Sequence, residues 1–218
     1  MSEVKEVVEK KEPIIAEISI NKSFNHDDIV TLTETIRKGV DSFDTLIFYM
    51  NSMGGQINTG LVFRDIVNSW DKKIVYISEL LNASLATALP QCGDVLRLAY
   101  PTSRFMLHDS TYTYKGTRAD VANQMEYTSH ADDVWDNAYM EGIGLTKKEY
   151  AKLVAFDNVM YANKFMMLGT KGGIDGMILK RLNVAQYVCN TRTGIKMIDV
   201  RYHTRNDVPN LPLYKEGE

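Results

Sequence analysis

Cysteine is scarce in this chain. The two residues present, Cys92 and Cys189, lie far apart and without CxxC spacing, which excludes a disulfide framework and a structural zinc knot. Both read as ordinary thiols. Apolar runs are short, and none approaches the roughly 18 residues of a membrane span. There is no basic excess: 25 Lys and Arg against 28 Asp and Glu give a net charge of −3, which offers nothing to nucleic acid or anionic lipid. The opening "MSEVKEVVEKKEP" is charged and lacks the apolar centre of a signal peptide, so a cytoplasmic protein is expected. A phosphate-binding loop is missing too, since no GxGxxG and no loop lysine follow a strand.

What is present is a repeating unit. "IIAEISI" reads as a first strand, and "DDIVTLTETIRKGV" as a helix capped by Asn25. "TLIFYM" is a near-continuous apolar strand, followed by the glycine turn "NSMGGQ" and the helix "INTGLVFRDIVNSW". "KIVYIS" then leads into "NASLATALPQCGD", a short Ala-rich helix with Ser84 in its first turn and Pro90 interrupting it. Apolar strands alternating with amphipathic helices predict an α/β fold with a mostly parallel sheet covered on both faces.

Further on, residues 117–144 lack proline and carry apolar residues three and four apart, predicting one long helix that projects beyond the domain and needs a partner surface. "TKKEYAKLVAF" and "DNVMYANKFMMLG" both read as helical. The organisation expected is a flexible arm over 1–13, a domain over 14–180 and a strand with an irregular tail over 181–218.

By position alone Ser84 is a helix cap, whose hydroxyl satisfies a backbone donor. A catalytic serine needs a base, an orienting group and donors for an oxyanion. Gly54 and Gly55 end an apolar strand, where backbone amides can turn outward, and the Leu85 amide follows the serine. Of the four histidines, His26, His130 and His203 fall in polar surroundings that predict solvated surface residues. His108 ends the apolar strand "RFML" and emerges at the carboxyl edge of the sheet, where active sites form. For the orienter, composition leaves Asp109, Asp157 and Asp175 open.

Four motifs in order, "FYMNSMGGQINTG", "NASLA", "RFMLH" and "DNVMYANKFMMLG" followed by "GID", resemble the proteolytic subunit of the Clp (caseinolytic) protease family over about residues 14–180. The resemblance implies a crotonase-like α/β fold with flanking helices and a projecting handle helix. It implies Ser84 as nucleophile, His108 as base, Asp157 as third member, and the Gly55 and Leu85 amides as oxyanion donors. A short insertion, "GTKG", underlies the choice of Asp157; without it Met160 would align. Met53 stands where the family has proline, Leu85 where it has methionine, and "HDSTYTYKG" where Gln and Pro follow the base.

The activity implied is serine endopeptidase action on unfolded polypeptides. Its setting would be stacked rings, a tetradecamer, fed by an ATP-dependent AAA+ unfoldase, with no cofactor, metal, nucleic acid or membrane bound by this chain. The alternatives are a dedicated processing protease, such as one maturing viral heads, and a noncatalytic structural ring subunit.

Overall fold

Leu46, Phe48 and Met50 point to one side of a strand and Ile47 to the other, and all four are fully buried, so this strand must sit inside a sheet packed on both faces. In the computed structural model, which describes residues 11–216, it is β2 (Thr45–Ser52), flanked in parallel by β1 (Ile15–Ile20) and β3 (Lys73–Ala83). The helix α1 (His26–Gly39) joins β1 to β2, and α2 (Ile57–Asn68) joins β2 to β3. Asn25 caps α1, its side chain accepting from the Asp28 amide at 2.9 Å.

β3 is long enough to serve two neighbours. Its first half, Val75 to Ser78, pairs in parallel with β4 (Leu96–Ala99), and its last residues, Leu81 to Ala83, pair with β5 (Arg104–Leu107). The sheet therefore splits at the end of β3, and the chain emerging there enters a crevice between diverging strands. Between β3 and β4 lie the single turn α3 (Leu85–Ala88) and a 3₁₀ turn, Leu89–Gln91, that carries Pro90 in its opening positions. The ring thus tightens the helix instead of kinking it.

The expected long helix is α4 (Arg118–Ile143). Thr117 and Asp120 form a reciprocal capping box at its start, and Gly144 ends it in the left-handed region at φ 77°. Its 26 residues span about 39 Å. Its buried residues, Ala131, Trp135, Tyr139, Gly142 and Ile143, belong to the C-terminal half; Met125 and Tyr127 in the other half are exposed.

After α5 (Lys147–Val154), residues 158–161 form β6 (Asn158–Tyr161), antiparallel to β5, before the short helix α6 (Ala162–Met166). The helical reading of "DNVMYANKFMMLG" is corrected here. Its first turn is captured by the free edge of β5, a non-local partner that overrides local periodicity.

β7 (Gly176–Arg181) pairs in parallel with β4 and is extended by β8 (Gln186–Thr191) and β9 (Gly194–Asp199), both antiparallel. The stretch 181–218 was expected as one strand and a tail. Instead, within the described residues it carries a hairpin turned at Arg192 and Thr193. Tyr187, Cys189, Ile198 and Val208 pack with Ile47, Val75, Ile77, Leu96 and Leu98, so this hairpin and its following turn cover one face of the sheet. Helical side chains such as Phe63, Trp135 and Phe165 pack in the other core. Of the arm expected over 1–13, residues 1–10 lie outside the described residues.

Candidate active site

Ser84 takes φ 53° and ψ −126°, the only positive φ at a non-glycine residue among the described residues. Such a conformation costs about 1–3 kcal/mol and persists only where neighbours enforce it. They do so here. The Ser84 amide donates to the Met106 carbonyl of β5 at 2.9 Å, and the Ser84 carbonyl accepts from the Thr87 and Ala88 amides and from the Tyr139 hydroxyl. Thr87 Oγ1 ties α3 back to the carbonyls of Asn82 and Met106. The side chain makes no cap bond, so the reading of Ser84 as a helix cap does not hold. A sharp strand-to-helix turn of this kind presents a hydroxyl outward.

Gly54 and Gly55 follow β2 next to this elbow. A Cβ on Gly54, at φ 87°, would meet the Ala83 carbonyl at 2.6 Å and the Leu85 amide at 2.9 Å. Gly55 forms an isolated parallel bridge with Phe24, in which the bonds run from the Phe24 amide to the Gly54 carbonyl and from the Gln56 amide to the Phe24 carbonyl. In a parallel bridge of that pattern the middle residue's own amide turns away from its partner. The Leu85 amide opens α3 and has no intrahelical acceptor.

His108 leaves the end of β5. Because Leu107 pairs with Asn158 in the antiparallel β5–β6 ladder, the next opposed pair is His108 and Asp157. His108 Nδ1 lies 3.8 Å from Asp157 Oδ1, with the histidine side chain 27 % exposed and the aspartate 77 %. Such contacts are often long in an enzyme without substrate. Ser84, His108 and Gly55 line one cleft of about 590 Å³, together with Phe24, Asn25 and Ile57.

The family model described as Clp protease matches residues 7–178. This chain belongs to the Clp protease family. Among curated proteins it is similar to an "ATP-dependent Clp protease proteolytic subunit" of Ligilactobacillus salivarius (strain UCC118), at 26 % identity over 135 residues, 62 % of this chain and 68 % of the relative. The α/β architecture, a mostly parallel sheet with flanking helices, is the crotonase-like fold expected of the family. The chain is a Clp-type peptidase by family.

The remaining candidates fall elsewhere. Asp175 is buried in an ion pair with Arg97 at 2.6 Å, beside a separate cavity of about 600 Å³ that contains neither Ser84 nor His108. Asp109 bonds through its amide to the Val154 carbonyl. Met160, which an ungapped match would align with the family's aspartate, is 2 % exposed inside the core, opposite Phe105. His26 and His130 are exposed. His203 is not simply solvated: its Nδ1 accepts from the Asp199 amide at 3.0 Å. Burial pushes the thiols of Cys92 and Cys189 up to about 11 and about 12, as inert thiols require.

Asp136 of α4 lines a small pocket together with Ser84 and His108, a neighbour that the sequence did not point to. The helical offset from Trp135 and Tyr139 was the available signal, but only the docking of α4 against α3 turns it toward the site. Among the described residues no group of three or more His, Cys, Asp or Glu gathers to hold a metal, and no helix is long and apolar enough to cross a membrane.

Proposed function

We propose that this Clp-family chain is a serine endopeptidase acting on unfolded polypeptides through Ser84, His108 and Asp157. One observation carries the reading: a strained, uncapped Ser84 shares a cleft with His108 and with a glycine turn whose amide is turned away from its bridge partner.

In this mechanism His108 takes the proton of Ser84 Oγ as that oxygen bonds to the peptide carbonyl carbon. Asp157 holds the imidazole tautomer and stabilises the imidazolium. The Gly55 and Leu85 amides donate to the developing oxyanion. Collapse of the tetrahedral species breaks the C–N bond, with His108 giving its proton to the leaving amine. Water, deprotonated by His108, then hydrolyses the acyl-enzyme and restores Ser84.

The assembly reading accompanies it. The exposed N-terminal half of α4 has no core of its own, which fits a contact between subunits of stacked rings. A separate AAA+ unfoldase would spend the ATP and thread substrates; this chain itself would need no cofactor. The test is hydrolysis of short fluorogenic peptides, unfolded casein and a stably folded protein by the full chain. Peptide and casein cleavage, abolished in Ser84→Ala, and a spared folded protein support the reading. Equal cleavage by Ser84→Ala would overturn it.

A further inference from the structure

The cavity of about 600 Å³ beside Asp175 takes its walls from two parts of the chain. Lys171, Ile174 and Asp175 belong to the stretch matched by the family model, which ends at residue 178. Arg192, Arg205 and Val208 belong to the hairpin and turn that follow it. A site across this seam therefore uses residues that the family match does not reach.

Cations outnumber carboxylates here. The side chains of Arg97, 1 % exposed, and Arg205, 12 % exposed, share the one carboxylate of Asp175, at 2.6 Å and 3.9 Å. Asp175 is engaged mainly by Arg97, accepting from its backbone amide, Nε and Nη2. At 3.9 Å Arg205 Nε is too far for a hydrogen bond. Arg205 Nη2 donates to the Gly142 carbonyl at 3.0 Å, and Nη1 makes no hydrogen bond among the described residues. Lys171 Nζ and Arg192 Nη1 also donate only to carbonyls, those of Glu141 at 2.9 Å and Thr170 at 2.8 Å, and neither side chain forms an ion pair among the described residues. The other acid of the cavity, Asp94, is exposed and accepts from the Asn206 side-chain amide at 3.1 Å. With Arg97 behind Asp175, four cations face two carboxylates.

The imbalance is sharpest at Arg205. Burial and then the Arg97 charge lower its pKa, with Asp175 and Asp94 opposing. A guanidinium nevertheless keeps its proton, so the penalty of a poorly paired buried charge persists until an anion offsets it.

The chemistry of the lining narrows that anion. A surplus of two positive charges matches a phosphate monoester, which carries close to two negative charges near neutral pH. Guanidinium forks and an ammonium suit its terminal oxygens, and Thr170 and Thr193 add hydroxyls. Ile174, Val208 and Pro209 supply an apolar wall, while no aromatic ring among the described residues lines the cavity for a base to stack on. The volume lies in the range of small-molecule sites and exceeds that of a phosphate alone.

We propose that this cavity binds a phosphate group, free or carried by a small non-aromatic molecule, through Arg205, Lys171 and Arg192. The bound anion would tie the C-terminal hairpin to the family core. The proposal is independent of the peptidase reading.

The test titrates the full chain with orthophosphate and with glycerol 3-phosphate by calorimetry, against chloride and succinate at matched ionic strength. Saturable binding of a phosphate compound is expected with a Kd of about 1 mM or below, and at least about tenfold weaker binding of succinate. Arg205→Gln should weaken phosphate binding about tenfold or more. Because that substitution alters a buried ion pair, Arg192→Gln repeats the test at an exposed position, with a loss of about threefold or more. Tighter binding of glycerol 3-phosphate supports the site with its organic part on the apolar wall; tighter binding of orthophosphate supports it as a free-phosphate site. No saturable phosphate binding, succinate bound as tightly, or an affinity unchanged in Arg192→Gln or in folded Arg205→Gln would overturn the proposal.

Discussion

Tyr139 donates a hydrogen bond to the Ser84 carbonyl at 3.0 Å, so the long helix α4 braces the turn from which the serine projects. Tyr139→Phe removes that bond and leaves the ring in place against Tyr150. The Ser84 carbonyl keeps the Thr87 and Ala88 amides, so the stability loss should stay at about 0.5–1.5 kcal/mol. Urea unfolding measures it. Peptide hydrolysis should fall more than stability does, because the strained elbow loses one restraint.

Gly55→Ala tests the glycine turn. A Cβ there would lie 2.3 Å from the Phe24 carbonyl oxygen and 2.7 Å from its carbon, backbone atoms that cannot swing aside. Accommodating it should cost about 1–3 kcal/mol and shift the amide assigned to the oxyanion, lowering kcat with little change in KM. Gly39→Ala is the contrast, since its Cβ would meet nothing nearer than Ser42 Oγ at 3.6 Å. Thermal melts and peptide kinetics on both variants decide the point.

Asp175, one of the acids that composition left open, should matter for stability rather than chemistry. Its carboxylate accepts from Arg97 through the backbone amide, Nε and Nη2, and Arg97 is 1 % exposed at its side chain. Arg205 Nε also approaches at 3.9 Å. Asp175→Ala leaves a buried guanidinium without its counter-charge, and a loss of about 3–5 kcal/mol is expected in denaturant unfolding.

His203 adds a pH dependence. Burial lowers its pKa; Asp199 raises it, Lys73 lowers it and Asp207 raises it, with the net effect downward from 6.5. A depressed folded pKa means that the unfolded chain binds the proton more readily. The contribution is therefore present above pH 6.5 and is lost as pH falls through the lower folded value. Protonation also forbids Nδ1 from accepting the Asp199 amide. Unfolding midpoints between neutral and mildly acidic pH should fall less steeply in His203→Asn than in the wild type.

The parts of the molecule written in local chemistry were readable from the sequence. Thr117 with Asp120, the proline-free run and Gly144 set the limits of α4 to within a residue of the expected 117–144. The alternating Ile47 and Phe48 announced a strand packed on two faces. What escaped depended on distant partners. Residues 158–161 became a strand only because β5 offers an edge, and that same ladder is what sets Asp157 opposite His108. The turn between β8 and β9 carried a weak signal in "TRTG", overshadowed by the polar tail that follows. Asp136 looked like one more acid on a charged helix until the packing of Tyr139 and Tyr150 set it beside Ser84.

The central claim is that Ser84 is a nucleophile activated by His108, and covalent labelling tests it most directly. The full chain is treated with a fluorophosphonate probe, and the adduct is located by peptide mass spectrometry. The account predicts a single adduct on Ser84, absent in Ser84→Ala and formed at least about a hundredfold more slowly in His108→Ala. Equal labelling of Ser84→Ala, or an adduct on another residue, would contradict it.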